Sequence, residues 1–306
     1  MAPTRIPRFI LVGRRLIPSP ALAVVLLAGL APFFWVKFGS VAKAEDFILP
    51  MTLEQWAEFF STWQSRVGFG SSPDDRLAAT FFLFWPALFR AIGASIELAQ
   101  RLQFVLWFTA MGLSMYILMR QLTRSQIAWA AASLIYMFNF YQEPVWQGVN
   151  IANLSALVAM PLALAITIRF TAGARLLPSA ALLALISVIG SGVGVNPPMA
   201  LIAIVPAPLY MILYFGQRWI TGQRAEARQM LSFAAVALVG VVLVNAYWLI
   251  PQSYGLLSGG PGQNFLGRTK LDAFTQLFNL SSFTGPLNVW RLQGAWVWYD
   301  SFRGVP

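Results

Sequence analysis

Glu45 and Asp46 stand side by side just after the first apolar run of the chain, and Glu143 is the sole charge between Arg124 and Arg169. The chain has no Cys and no His. That removes disulfides, thiol nucleophiles, imidazole bases and the usual haem and zinc ligands. Chemistry is left to carboxylates, Arg and Lys, Tyr, Ser, Thr and amides. A carboxylate near a membrane surface can take a proton from an acceptor hydroxyl as a general base, and Asp46 is placed for this. Its alternative reading is a solvated loop acid close to Lys43. Glu143, a lone acid beside apolar segments, is costly unless it is paired or functional. Arg66, Arg76, Arg268, Lys270 and Arg291 can hold a lipid phosphate by charge-assisted hydrogen bonds, or serve as ordinary surface charge. Nothing in this set requires a cofactor. A metal would have to be Mg²⁺, Mn²⁺ or Ca²⁺ held by oxygen ligands alone, and the adjacent Asp74 and Asp75 offer one such pair on a turn.

The elements that must position these residues are apolar runs. Hydrophobic residues make up 58% of the chain and charged residues 10%, against about 25% charged in a soluble domain. The runs are continuous rather than alternating, which selects an all-α integral membrane protein over a barrel. About seven segments are long and apolar enough to span or nearly span a bilayer: 21–36, 103–119, 127–138, 151–168, 177–189, 199–215 and 231–250. Arg5, Arg8, Arg14 and Arg15 precede the first. Arg120 and Arg124, Arg169 and Arg175, then Arg218, Arg224 and Arg228 occupy alternate connections. The short loops between them, 139–150 and 190–198, carry neither Lys nor Arg. Positive charge stays on the cytoplasmic side, so the pattern predicts a cytoplasmic N-terminus in a multi-pass plasma-membrane protein. The net charge of +10 then reflects orientation and anionic lipid, not a nucleic-acid partner. Basic residues, an apolar run and Ala42-Lys43-Ala44 imitate a signal peptide, but the length of the run and its Pro32 and Trp35 favour an uncleaved first helix.

Residues 77–93 are also apolar. Counting them as a span would turn seven later arginines outward, so they are expected as an interfacial or re-entrant helix on the outer side. The first outer loop then runs over about residues 37–102. It holds seven of the eleven acids: Glu45, Asp46, Glu54, Glu58, Asp74, Asp75 and Glu97. Thr52 with Gln55 reads as a capping box. Trp56, Phe59, Phe60 and Trp63 follow at helical spacing, so 52–63 is expected as an amphipathic surface helix or as the core-facing helix of a small outer domain. Gly68 to Pro73 is a turn, and the glycines of 190–198 predict a bend leading to Asn196. Residues 1–250 form the membrane module. Residues 251–306 have no apolar span and are expected outside, as the start of a larger outer region. Trp35, Trp56, Trp63, Trp85, Trp146 and Trp248 fall near the outer ends, as an aromatic belt would.

Taken together, these features resemble the GT-C membrane glycosyltransferases, which use polyprenyl-phosphate sugar donors. In that superfamily a long first outer loop carries an acid soon after the first helix, a position matched here by Asp46 with Glu45 beside it. A second acid in a later outer loop is matched by Glu143. Three stretches look like the N-terminal part of the α-(1→3)-arabinofuranosyltransferases. They are Glu45 to Pro50 followed by Trp63 and Gly68-Phe69-Gly70, then Gly194 to Pro198, then Trp248-Leu249-Ile250-Pro251. The resemblance implies that Asp46, Glu45 and Glu143 serve catalysis, and that Trp63, Arg66, Arg76, Asn196, Arg268 and Lys270 contact substrate. The implied partners are a polyprenyl-phosphate sugar, an envelope-glycan acceptor and membrane lipid. A lipid or polysaccharide export or scramblase-type protein on the same scaffold is the alternative. Proton-coupled transport is disfavoured, since no Asp, Glu, Lys or Arg falls inside the seven runs.

Overall fold

The computed structural model describes residues 19–42, 51–60, 75–139, 151–195 and 205–257. Among them the chain is helical, with no strand. In a solvent without water each backbone group must find its partner within the segment, and a helix does this. In chain order the α-helices are α1 (Pro20–Gly29), α2 (Leu53–Ala57), α3 (Thr80–Ala91), α4 (Ile96–Leu122), α5 (Gln126–Met137), α6 (Ile151–Thr171), α7 (Leu176–Ile189), α8 (Pro206–Ile220) and α9 (Arg224–Leu257). Short 3-10 segments cover Ala31–Phe34, Glu58–Phe60, Asp75–Ala79 and Gly190–Val195.

Among the described residues four helices are long and apolar enough to cross a membrane: Ile96–Leu122, Leu154–Thr171, Leu176–Gly194 and Arg224–Tyr254. Pro20–Phe34, Leu77–Ala91 and Gln126–Met137 are shorter apolar helices. The first expected run is interrupted at Leu30, after which Pro32 sits in a 3-10 turn. Of the run expected over 199–215, only the part from Pro206 onward lies in a described helix.

Local signals set the helix ends. Ser95 caps α4 by accepting from the Leu98 amide, Glu97 lies in its first turn and Arg120 in its last, which suits the helix dipole. Ser125 caps α5 in the same way. The capping box expected at Thr52 is present, with Thr52 Oγ1 accepting from the Gln55 amide at 3.3 Å and Gln55 Oε1 from the Thr52 amide at 2.9 Å. α2 does not lie apart from the bundle. Trp56 Nε1 donates to the Thr80 carbonyl at 2.8 Å, and Phe59 is buried in the main core. α3 folds back on α4 through a turn with Gly93 at φ 95°, and Phe82 stacks on Trp107 with centroids 4.5 Å apart.

The main core joins α1, α3, α4, α5 and the start of α6 around Val25, Phe82, Trp107, Met111 and Leu154. A second cluster joins the end of α6 to α7, α8 and α9 around Phe170, Met211 and Phe233. Two expectations are corrected. Residues 190–195 are not a bend but a 3-10 continuation of α7. Its glycines let backbones approach: a Cβ on Gly194 would meet Ala78 Cβ and the Trp248 ring at 2.7 Å. The final helix also runs through Pro251 to Leu257, past the expected end of the last run at residue 250. Gln252 Nε2 ties that last stretch to the Gly194 carbonyl at 2.7 Å.

Candidate functional site

Glu45, Asp46, Trp63, Arg66, Glu143, Asn196, Arg268 and Lys270 lie outside the described residues, as do Asp74 and Arg291. Arg76 falls in the Asp75–Ala79 turn, of which only the backbone is described at that position. What the structure does define is the set of anchors from which the segments bearing these residues depart and to which they return.

The segment bearing Glu45 and Asp46 leaves from Ala42. Gln100, on α4 and 1% exposed, grips that residue by both backbone groups. Its Oε1 accepts from the Ala42 amide at 2.7 Å and its Nε2 donates to the Ala42 carbonyl at 2.8 Å. The segment returns at Met51, which is buried in the main core. One residue further along α4, Arg101 is 2% exposed. It pairs with Glu97 at 2.9 Å, donates to the Phe33 carbonyl and covers the Phe38 ring with its guanidinium carbon 4.2 Å from the centroid. A buried guanidinium needs such partners to offset its lost hydration. It also ties the end of the first apolar element to the start of α4.

The stretch leading to Trp63 and Arg66 departs from Phe60, whose ring lies 5.1 Å from Trp56 and 6.3 Å from Tyr247. Tyr247 is within 3.2 Å of Thr80 Oγ1. The Arg76 turn and the stretch leading to Asn196 are brought together. Ser191 Oγ donates to the Ala78 carbonyl at 2.7 Å, and Gly194 packs between Ala78 and Trp248. The loop with Glu143 departs after Phe138 and Asn139. Phe138 lies edge-on to Phe108 of α4 at 5.0 Å, and Asn139 Nδ2 donates to the Ile135 and Tyr136 carbonyls. Asn245 Nδ2 of α9 donates to Ser187 Oγ of α7 at 2.7 Å, and within α9 Trp248 Nε1 donates to Asn245 Oδ1 at 2.8 Å.

Ala42 and Phe138 are thus anchored on α4, Phe60 on α2 and α9, and Gly194 on Ala78 and α9. Among the described residues no group of three acids could hold a metal ion. Sequence reasoning overlooked Gln100, Arg101, Gln103 and Trp107, which follow one another on α4. Their signal was present: Gln100 and Gln103 are polar, three apart, and in line with the buried Trp107, Met111 and Ser114.

The described residues define a class, an all-α, multi-pass membrane protein. Comparison with family models, curated proteins and solved structures finds no match to this chain.

Proposed function

We propose that the chain is the membrane module of a glycosyltransferase that moves a sugar from a polyprenyl-phosphate donor to an envelope glycan at the outer face of the plasma membrane. The reading includes about seven spans, a cytoplasmic N-terminus and an extracytoplasmic segment after α9, on the strength of the arginine distribution. The observation that supports it is the grip of Gln100 on Ala42, which holds the start of the segment bearing Asp46 against α4. Asp46 is four residues from Ala42, so chain length alone keeps their Cα atoms within about 15 Å. Three further anchors, Phe60, Gly194 and Phe138, start the stretches toward Trp63 and Arg66, Asn196, and Glu143.

In this reaction Asp46, with Glu45 as its neighbour, takes the proton of an acceptor hydroxyl. The freed oxygen attacks the anomeric carbon, and the bond to the lipid phosphate breaks with its electron pair staying on the phosphate. A cation among Arg66, Arg76, Arg268 and Lys270 meets the charge that develops there. Glu143 is the second candidate acid, and Asn196 and Trp63 are candidates for contacting substrate.

The test is transfer of labelled sugar from a polyprenyl donor in membranes carrying the full-length protein. Asp46→Asn keeps the size of the side chain and removes its basicity, which should lower the rate by about 10²- to 10⁴-fold while donor binding survives. Glu45→Gln should do less. Equal transfer by wild type and Asp46→Asn would remove Asp46 as the base.

A further inference from the structure

Three helix-to-helix turns come to one end of the bundle. Leu118 near the end of α4, Ala165 and Ile168 near the end of α6, and Tyr210 of α8 share one cluster. Phe170 in the last turn of α6 stacks on Phe233 of α9 at 4.1 Å, and Leu176 at the start of α7 and Tyr214 of α8 pack into the same cluster. The α4–α5, α6–α7 and α8–α9 turns therefore lie at the same end of the helices. Arg124, Arg169, Arg175, Arg224 and Arg228 sit on these turns or within about one helical turn of them, and all five are exposed. Among the described residues none of the five has an acidic partner. Glu226 is the only acid between Glu143 and Asp272. It is already held by Arg218 at 3.2 Å and by the Tyr214 hydroxyl at 2.9 Å.

Charge calls for an anion, and the residues beside the charge select which kind. Large apolar side chains stand bare next to the arginines: Ile127 is 82% exposed, Leu177 69% and Ile220 85%. Arg224 lies over the ring of Trp219, 5.5 Å from its centroid, and Trp219 is itself exposed. A nucleic acid or an acidic protein in water would meet the guanidinium groups and leave these apolar side chains wet. A phospholipid brings both parts on one molecule. Its phosphate accepts the fork of an arginine, and the acyl chains beneath it cover Leu, Ile and the indole. A zwitterionic headgroup carries its own cation next to the phosphate. An acidic headgroup carries none, so five guanidinium groups without an acid favour it.

We propose that this end of the bundle is a docking surface for acidic phospholipid headgroups, with phosphates held by Arg169 and Arg175 at the α6–α7 turn and by Arg224 and Arg228 at the start of α9. Orienting the helices needs only the charge of these residues. Docking requires more: acidic lipid must stay on the folded protein in preference to neutral lipid. Lipid capture here does not depend on sugar transfer elsewhere on the molecule, so either can fail alone.

The full chain, in vesicles of equal parts phosphatidylglycerol and phosphatidylcholine, is extracted in mild detergent, and the lipid retained on the protein is counted by mass spectrometry. Wild type should retain phosphatidylglycerol over phosphatidylcholine by about tenfold or more, at about fivefold per arginine. Arg169→Gln with Arg175→Gln should cut that preference by about fivefold or more. Arg169→Lys with Arg175→Lys keeps the charge and the orientation signal and should stay within about threefold of wild type. Should the double Gln variant fail to insert, Arg228→Gln gives the reading, with a loss of about fivefold. Arg218→Gln with Glu226→Gln removes an existing ion pair at no change in net charge and should keep the preference. Retention of the two lipids in the proportion supplied, or a full preference in the Gln variants, would overturn the assignment. So would displacement of phosphatidylglycerol, at matched ionic strength, by inorganic phosphate or by a short oligonucleotide, because either would make this a site for a soluble anion.

Discussion

Replacing Gln100 should release the entrance of the first long loop. The side chain makes two hydrogen bonds to one backbone unit 58 positions earlier in the chain. Two neutral bonds contribute about 1 kcal/mol each, and abandoning their buried partners adds about 1–3 kcal/mol per group where water cannot replace them. Ala42 is only half-buried, so water recovers part of that. The net loosening is then about 2–4 kcal/mol, which raises the open population of the segment by roughly 30-fold or more. Lys43 follows Ala42 directly and offers a trypsin site for the readout. When opening and closing are fast against cleavage, the rate tracks the open population. Gln100→Ala should therefore speed cleavage after Lys43 by at least tenfold. Gln100→Met is the sharper variant, because it keeps most of the packing and loses only the hydrogen bonds. It should behave nearly like Gln100→Ala. A Met variant cleaved at the wild-type rate would show that packing, not the amide, holds the loop, and the anchor argument would fail.

Two further outcomes follow from other parts of the molecule. Gly194→Ala places a methyl against Ala78 Cβ and the Trp248 ring, and neither can retreat easily; the overpacking should cost about 1–3 kcal/mol and lower the midpoint of thermal unfolding in micelles. Gly216→Ala meets nothing within 4 Å and should leave the midpoint unchanged or raise it, so a Gly194→Ala variant as stable as Gly216→Ala would contradict the close approach. For topology, single cysteines at Ser72 and Ser95 in this Cys-free chain should both react with an impermeant thiol reagent from outside. Reaction of Ser72→Cys alone would mean that residues 77–93 cross the bilayer, against the charge pattern.

Much of the architecture was legible because it is written locally. Continuous apolar runs give membrane helices, and the Thr52–Gln55 capping box sits where the sequence puts it. The limits were also local in origin. An apolar run does not say whether its helix is unbroken, so the run of residues 21–36 could be recognised but not its change to a 3-10 turn after Leu30. Glycine in a window of Gly, Ser and Val reads as a bend, yet Gly190 and Gly194 are there because Ala159, Ala78 and Trp248 come too close for a Cβ. That requirement is tertiary and has no signature within the window.

The candidate site divides along the same line. Acid-bearing loops can be found by charge alone, since in so apolar a chain each carboxylate stands out. The residues that hold those loops cannot, because Gln100 and Gln103 are equivalent by type, spacing and burial. They differ only in what arrives opposite them. Gln100 meets the backbone of Ala42, and Gln103 meets no hydrogen-bonding group among the described residues. A hydrophobic pattern explains why both faces are buried. It does not say which of the two amides will find a backbone to hold, because that depends on a segment 58 positions earlier in the chain. Replacing Gln100 must therefore loosen a loop, whereas replacing Gln103 breaks no hydrogen bond among the described residues.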